Sequence, residues 1–279
     1  MTYKELCSSI KTRQSFLCLG LDPDYTKLPL SVKSGKNPLF VFCKEIADEV
    51  ADSCVAFKIN TAFFEAEGSK GFSQLEELCH YLHSHYPTHL LIADAKRADI
   101  GNTSSMYAKA FFDTLECDAI TLHPYMGRDS IEPFLQHHGK WSILLSLTSN
   151  SGAADFEQLI TSDGIPLYLE VMQKAKTWGS AENMMFVIGA TKSAYVAEIR
   201  KQFPDHFFLV PGTGTQGGDM GAVIAAGSNT AGGLLINVSR DILYASSGSD
   251  FTAAAASKAK YYLLQMRSFF KFDEIKNTP

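Results

Sequence analysis

The chain has 279 residues, 46% of them hydrophobic and 20% charged, which is a globular composition and excludes a disordered chain. Its net charge of −5 and scattered basic residues exclude the basic stripe of a nucleic-acid binder, although one or two local cations suffice for a small anion. No apolar run reaches the roughly 18 residues of a membrane span, and the polar start MTYKELCSSIKTRQ does not read as a signal peptide.

Taken in order, short apolar runs alternate with segments of helical spacing. SFLCLGLD (15–22) reads as a strand, and NPLFVFCKEIADEVADS (37–53) as a helix with Leu39, Phe42, Ile46 and Val50 three or four residues apart. CVAFKIN (54–60) is the second strand; GFSQLEELCHYLHSHYP is a helix closed by Pro87. After LLIADAK (90–96), Asn102 and Thr103 are expected to cap a helix ending near Leu115. AITLHP (119–124) precedes a helix starting at Asp129 and Ser130, and WSILLSLTS (141–149) precedes the longest gap, 150–183, whose first part is an ornament or a lid. MMFVIGA (184–190), FFLVPG (207–212) and GLLINVSR (233–240) complete eight strands, and a long helix spans roughly 250–270.

Near-continuous apolar runs suit strands buried on both faces, as in a parallel sheet. Eight of them alternating with helices, with no linker and no second composition zone, predict an α/β fold: a (β/α)8 TIM barrel, one domain over 1–279. A doubly wound open sheet is the alternative. Cys7, Cys18, Cys43, Cys54, Cys79 and Cys117 form no CxxC pair, which fits a reduced, cytoplasmic protein. His80, His83, His85 and His89 lack a metal-binding spacing and an evident carboxylate partner, and read as surface histidines.

Active sites of such barrels lie at the C-terminal ends of the strands. There the sequence is charged: Asp22 ends strand one, Lys58 strand two, Asp94 and Lys96 strand three, and Asp99 lies just beyond. Strand alternation points Asp94 and Lys96 the same way. An ion-pair plug could explain any one of these residues. So many charges at three successive strand ends are hard to explain as packing, because apolar replacements of such clusters are often no less stable.

The second constellation is PGTGTQGGD (211–219), after strand seven. Its glycines let backbone N–H groups approach an anion, and a helix start follows. Phosphate sites of these barrels use the loops after strands seven and eight, and Arg240 at the end of strand eight can pair with the same phosphate. Thr148, Ser149 and Asn150 end strand five and either hydrogen-bond a polar ring or cap a turn.

DAKRAD (94–99) has the D-x-K-x-x-D pattern of orotidine 5'-phosphate decarboxylases. LGLDPD, AFKIN, DAKRADIGNTS, TSN, PGTGTQGGD and NVSR follow in that family's order over nearly the whole barrel. The chain most resembles the longer bacterial (type 2) subgroup, departing from it at Ala98, where glycine is expected, and Ser151, where proline is expected.

The resemblance implies cofactor-free, metal-free conversion of orotidine 5'-phosphate to UMP and CO2. Lys96 would give the proton to pyrimidine C6, Asp94 would sit against the substrate carboxylate, and Lys58 would hold Asp94 and touch the ribose. Asp99 would complete the array from the partner subunit of a homodimer. Asp22 and Thr103 would bind ribose hydroxyls, Thr103 also from the partner, and Ser149 would contact the pyrimidine. Pro211, Gln216, Gly217 and Arg240 would hold the phosphate. The rival readings are a metal-dependent sugar-phosphate enzyme with the same D-x-K-x-x-D, against which TSN and TQGGD argue; Schiff-base chemistry at Lys96, which nearby Asp94 and Asp99 disfavour by keeping that lysine protonated; and a noncatalytic phosphosugar binder, against which the complete charge array argues.

Overall fold

The computed structural model describes residues 1–213 and 219–276. Eight parallel strands close into a barrel in chain order: β1 (Leu17–Leu21), β2 (Ala56–Asn60), β3 (Leu90–Arg97), β4 (Ala119–Leu122), β5 (Trp141–Leu147), β6 (Met184–Ile188), β7 (Phe207–Pro211) and β8 (Leu234–Val238). β1 pairs with β8, Leu17 opposite Ile236 and Leu19 opposite Val238, so the ring is closed and the open sheet is excluded. Each expected apolar run is a strand. Every residue of β1, β6 and β8 is buried, because inward side chains pack against opposite strands and outward ones against helices.

A helix follows each strand on the outside: Pro38–Val50, Gly68–His85, Gly101–Lys109, Arg128–Leu135, Leu167–Ala175, Ser193–Gln202, Met220–Gly227 and Phe251–Phe269. The last packs on the first, with the Phe42 and Phe251 rings stacked 5.5 Å apart, which closes the helical ring as the sheet is closed.

Some local expectations change. Asn102 and Thr103 do not cap their helix; they lie inside its first turn, which begins at Gly101 with φ +48 and has no side-chain cap. The helix then widens into a π turn over Ala110–Thr114. The polar N-terminus holds an unpredicted helix, Tyr3–Arg13, opened by a capping box in which the Thr2 backbone N–H donates to Glu5 Oε2 at 2.6 Å. Its buried face, Leu6, Cys7 and Ile10, packs into the core, and Trp141 Nε1 donates to the Met1 carbonyl at 2.8 Å.

His89 is not a surface residue. It is buried, its Nε2 is 2.9 Å from the Ala51 carbonyl, and burial pushes it down to about 4. His80, on the surface as expected, does have a carboxylate nearby, Glu116 at 3.7 Å. His206 is also buried, with both ring nitrogens unpartnered among the described residues, and burial lowers it to about 4.

Both rings bind protons more readily unfolded than folded. Their stabilisation is therefore complete above the unfolded value near 6.5 and is lost as pH falls from there toward 4, by up to about 3 kcal/mol each. We predict a falling Tm across this window, with a shallower slope in His206→Phe; parallel slopes in calorimetric melts of the two proteins would remove His206 from the account.

Candidate active site

The charged residues converge at the C-terminal mouth of the barrel. Lys58 and Asn60 share a face of β2, and the register sets Asn60 beside Asp94 of β3, so Lys58 and Asp94 are inward-facing diagonal neighbours. Lys58 lies two residues inside the end of β2 rather than at its tip. Its Nζ donates to Asp94 Oδ2 at 2.6 Å, and Lys96 Nζ donates to the other oxygen, Oδ1. Asp94 and Lys58 are nearly inaccessible, whereas the Lys96 side chain is 41% exposed.

Burial alone would push the Asp94 carboxyl up. The ammonium groups, Lys58 first and then Lys96, outweigh it and hold that carboxyl well below the usual carboxylate range. Burial likewise opposes the Lys58 ammonium, but Asp94 and then Asp22 hold it above the ordinary lysine range. The result is a carboxylate clamped between two cations in a water-poor place.

Asp94 and Lys96 do converge, but not by regular strand alternation. Between Ala93 and Arg97 the β3–β4 register shifts, and Lys96 has φ +45, the left-handed region that a lysine adopts only under constraint. Thr121 of β4 bridges this irregularity: its Oγ1 accepts from the Lys96 N–H and donates to Asp94 Oδ1, each at 3.0 Å.

Two cavities open here and share Lys58, Asp94 and Pro211. One, of about 180 Å³, is polar and lined by Asp22, Asn60, Gly212, Asn237, Ser239 and Arg240 among others. Ser239 Oγ donates to Asp22 Oδ2 at 2.6 Å, while Asp22 Oδ1 and Asn237 Oδ1 are buried acceptors with no donor among the described residues. Gly20 stands opposite Lys58, and a Cβ there would lie 2.7 Å from Ser239 Cβ, so this side of the barrel requires glycine.

The other cavity, of about 440 Å³, is more apolar. It is lined by Lys96, Thr121, His123, Ser149, Phe156, Glu157, Val187 and Leu209 among others. The segment after β5 therefore lines a cavity instead of merely ornamenting the surface. Its Glu157 folds back so that the Thr148 N–H donates to the carboxylate at 2.7 Å. Gly189 lets Ser149 approach, since a Cβ there would lie 2.7 Å from the Ser149 backbone nitrogen. His123 is held below the ordinary histidine value by burial and by Lys96.

Of the sequence-predicted residues, the mouth brings together Asp22, Lys58, Asp94, Lys96, Ser149, Pro211 and Arg240. It does not bring in Asp99 or Thr103. The Asp99 carboxylate caps the Ile100 N–H at 2.7 Å, and Thr103 is exposed on its helix beside exposed Ile100 and Met106. Gln216 and Gly217 lie outside the described residues. The sequence reading missed Thr121, Asn237 and Ser239. Asn237 and Ser239 are the first and third residues of the recognised NVSR motif, of which only Arg240 was given a role, so a positional signal was open to use. Thr121 carried no signal in sequence.

Residues 15–256 match the Orotidine 5'-phosphate decarboxylase / HUMPS family. A Christiangramia forsetii protein named orotidine 5'-phosphate decarboxylase is 52% identical over 268 residues, 96% of this chain and 98% of that one. A Bacteroides fragilis protein of the same name is 45% identical over 271 residues, 97% of this chain and 99% of its own. Among solved structures, a Toxoplasma gondii chain described as a candidate orotidine-monophosphate-decarboxylase superposes with TM-score 0.86 at 33% identity, covering 95% of this chain and 96% of that one. Leishmania donovani OMP decarboxylase gives TM-score 0.79 at 32% identity, covering 96% and 99%.

Removing one partner of a buried pair strands the other charge. We predict that Asp94→Asn lowers stability by about 3–5 kcal/mol, and that adding Lys58→Met recovers most of that loss. Urea unfolding of the single and double variants checks it; additive losses would show that the two residues are not electrostatically tied.

Proposed function

The chain belongs to the orotidine 5'-phosphate decarboxylase / HUMPS family, and on that premise we propose that it is the carboxy-lyase that converts orotidine 5'-phosphate to UMP and CO2 in de novo pyrimidine biosynthesis. The observation that carries this reading is the Asp94 carboxylate held between the Lys58 and Lys96 ammonium groups where the two cavities meet. The reading takes the whole chain as one catalytic domain and requires neither cofactor nor metal.

In this mechanism the C6–carboxylate bond breaks, CO2 leaves, and the electron pair remains on C6. Lys96 Nζ then supplies the proton. An ammonium about 4 Å from the developing anion is worth roughly 4 kcal/mol at an effective dielectric near 20. A typical enzymatic acceleration needs roughly 8–23 kcal/mol, so one charge pair is insufficient. The remainder is assigned to preorganisation: Asp94 and Lys58 already fix Lys96, and no dipole need reorient during the reaction. Repulsion between Asp94 and the substrate carboxylate adds a smaller part.

The polar cavity suits the ribose phosphate. Asp22 offers an acceptor to ribose hydroxyls beside Lys58, and Arg240, with Pro211 and the loop carrying Gln216 and Gly217, takes the phosphate. The larger cavity suits the flat pyrimidine, with Ser149 at its edge. Asp99 and Thr103 are assigned to the partner's site in a homodimer, a role supported by the apolar exposure of Ile100 and Met106 beside them in the chain. A cytoplasmic location is supported by six free, buried cysteines; no described helix is long and apolar enough to cross a membrane.

The phosphate lies far from C6, so its binding energy aligns the ring and takes no chemical part. With EDTA present, purified protein should deplete orotidine 5'-phosphate absorbance. Lys96→Ala should lower kcat by orders of magnitude, whereas Arg240→Ala should chiefly raise KM. A folded protein without turnover would sink the decarboxylase reading, and equal losses of kcat in both variants would sink the division of labour.

A further inference from the structure

We propose that Thr121 is a positioning residue for this reaction, its hydroxyl fixing the backbone turn that aims the Lys96 ammonium and the carboxylate that holds it. The inference rests on the decarboxylase reading and adds to it a residue with no charge and no evident motif.

The backbone requires such a residue. On β3 four steps separate Ala93 from Arg97, while their partners on β4, Ile120 and Leu122, are two apart. Two extra residues are thus accommodated within the stretch that carries Asp94 and Lys96. A bulged strand leaves ladder groups without main-chain partners, and a buried N–H without a partner is costly. The Lys96 N–H finds the Thr121 hydroxyl instead, at 3.0 Å. The ladder resumes beyond, where the His123 N–H donates to the Arg97 carbonyl at 3.1 Å.

The hydroxyl has one proton, and it is committed. It goes to Asp94 Oδ1 at 3.0 Å, the same oxygen that receives the Lys96 ammonium. Thr121 therefore touches Lys96 at both ends, directly at its backbone and through Asp94 at its side-chain tip. The residue is 1% exposed, and its β-branched side chain has few rotamers available. A lysine at φ +45 persists only where its surroundings over-determine it, and this hydroxyl is the side-chain contact on its backbone N–H. Thr121 also lines the larger cavity beside Lys96, but its hydrogen-bonding capacity is directed at the array.

The test compares wild type, Thr121→Val, which keeps the shape without the hydroxyl, and Thr121→Ser, which keeps the hydroxyl. Steady-state decarboxylation gives kcat and KM separately, and thermal melts report folding. The expected result for Thr121→Val is a kcat lower by about 10- to 100-fold with KM within about threefold, because a displaced ammonium weakens the chemical step while phosphate contacts remain. Thr121→Ser should stay within about threefold of wild type in both constants. Where Thr121→Val does not fold, Thr121→Ala removes the same hydroxyl and is read the same way. A Thr121→Val kcat within twofold of wild type, a loss confined to KM, or a Thr121→Ser as impaired as Thr121→Val overturns the role while leaving the decarboxylase reading intact. A folded wild type that does not consume orotidine 5'-phosphate overturns both.

Discussion

A single buried carboxylate with a cation on each oxygen organises the mouth of this barrel. Burial opposes the charge on Asp94 and on Lys58; Lys58 and Lys96 hold Asp94 ionised against it, and Asp94 and Asp22 hold Lys58. Each group makes the others affordable, so the cluster behaves as one unit drawn from β1, β2 and β3. The surrounding backbone yields to it. β3 slips its register against β4, and Lys96 takes a left-handed conformation, while Gly20 makes room for Ser239 and Asn237 beside Asp22. The register shift and the left-handed lysine both fall within the stretch that carries Asp94 and Lys96, where local strain coincides with the charged site.

The barrel was legible because its strands are buried on both faces, so each writes itself as an apolar run bounded by polar loops. Elements with one exposed face were less legible. The helix Tyr3–Arg13 shows a polar sequence because its buried side is only Tyr3, Leu6, Cys7, Ser9 and Ile10; the capping box at Thr2 and Glu5 was its readable sign. His89 reads as polar, yet it packs flat against Phe57 with ring centroids 4.9 Å apart and gives its ring nitrogen to a carbonyl. Periodicity cannot tell such a satisfied core histidine from an exposed one.

The site was legible for charge and illegible for hydrogen bonding. Asp22, Lys58, Asp94 and Lys96 stand out because four ionisable residues at successive strand ends conflict with burial. Thr121, Asn237 and Ser239 do not conflict with anything: threonine, asparagine and serine are ordinary at strand ends. Thr121 matters because the register shift leaves the Lys96 N–H to its hydroxyl, and Ser239 because its hydroxyl meets the Asp22 carboxylate; neither the shift nor that meeting has a sequence period. Asp99 and Thr103 are a different case. They were visible by motif, but a single chain leaves them beside the mouth instead of in it.

The arrangement of the two cavities follows from the same cluster. Lys58 and Asp94 form part of both walls, so anything spanning the mouth must cross the ion pair. The polar side presents acceptors at Asp22 and Asn237 that have no partner among the described residues, together with Arg240, while the other presents Val187, Leu209 and Phe156. A molecule with a charged, hydroxyl-rich end and a flat, less polar end therefore has one favourable orientation. For the proposed substrate that orientation would set the junction of its two ends over Lys58 and its flat part beside Lys96. The asymmetry of the cavities thus supplies the alignment that the chemistry proposed for Lys96 demands, without any group having to move charge into an apolar wall.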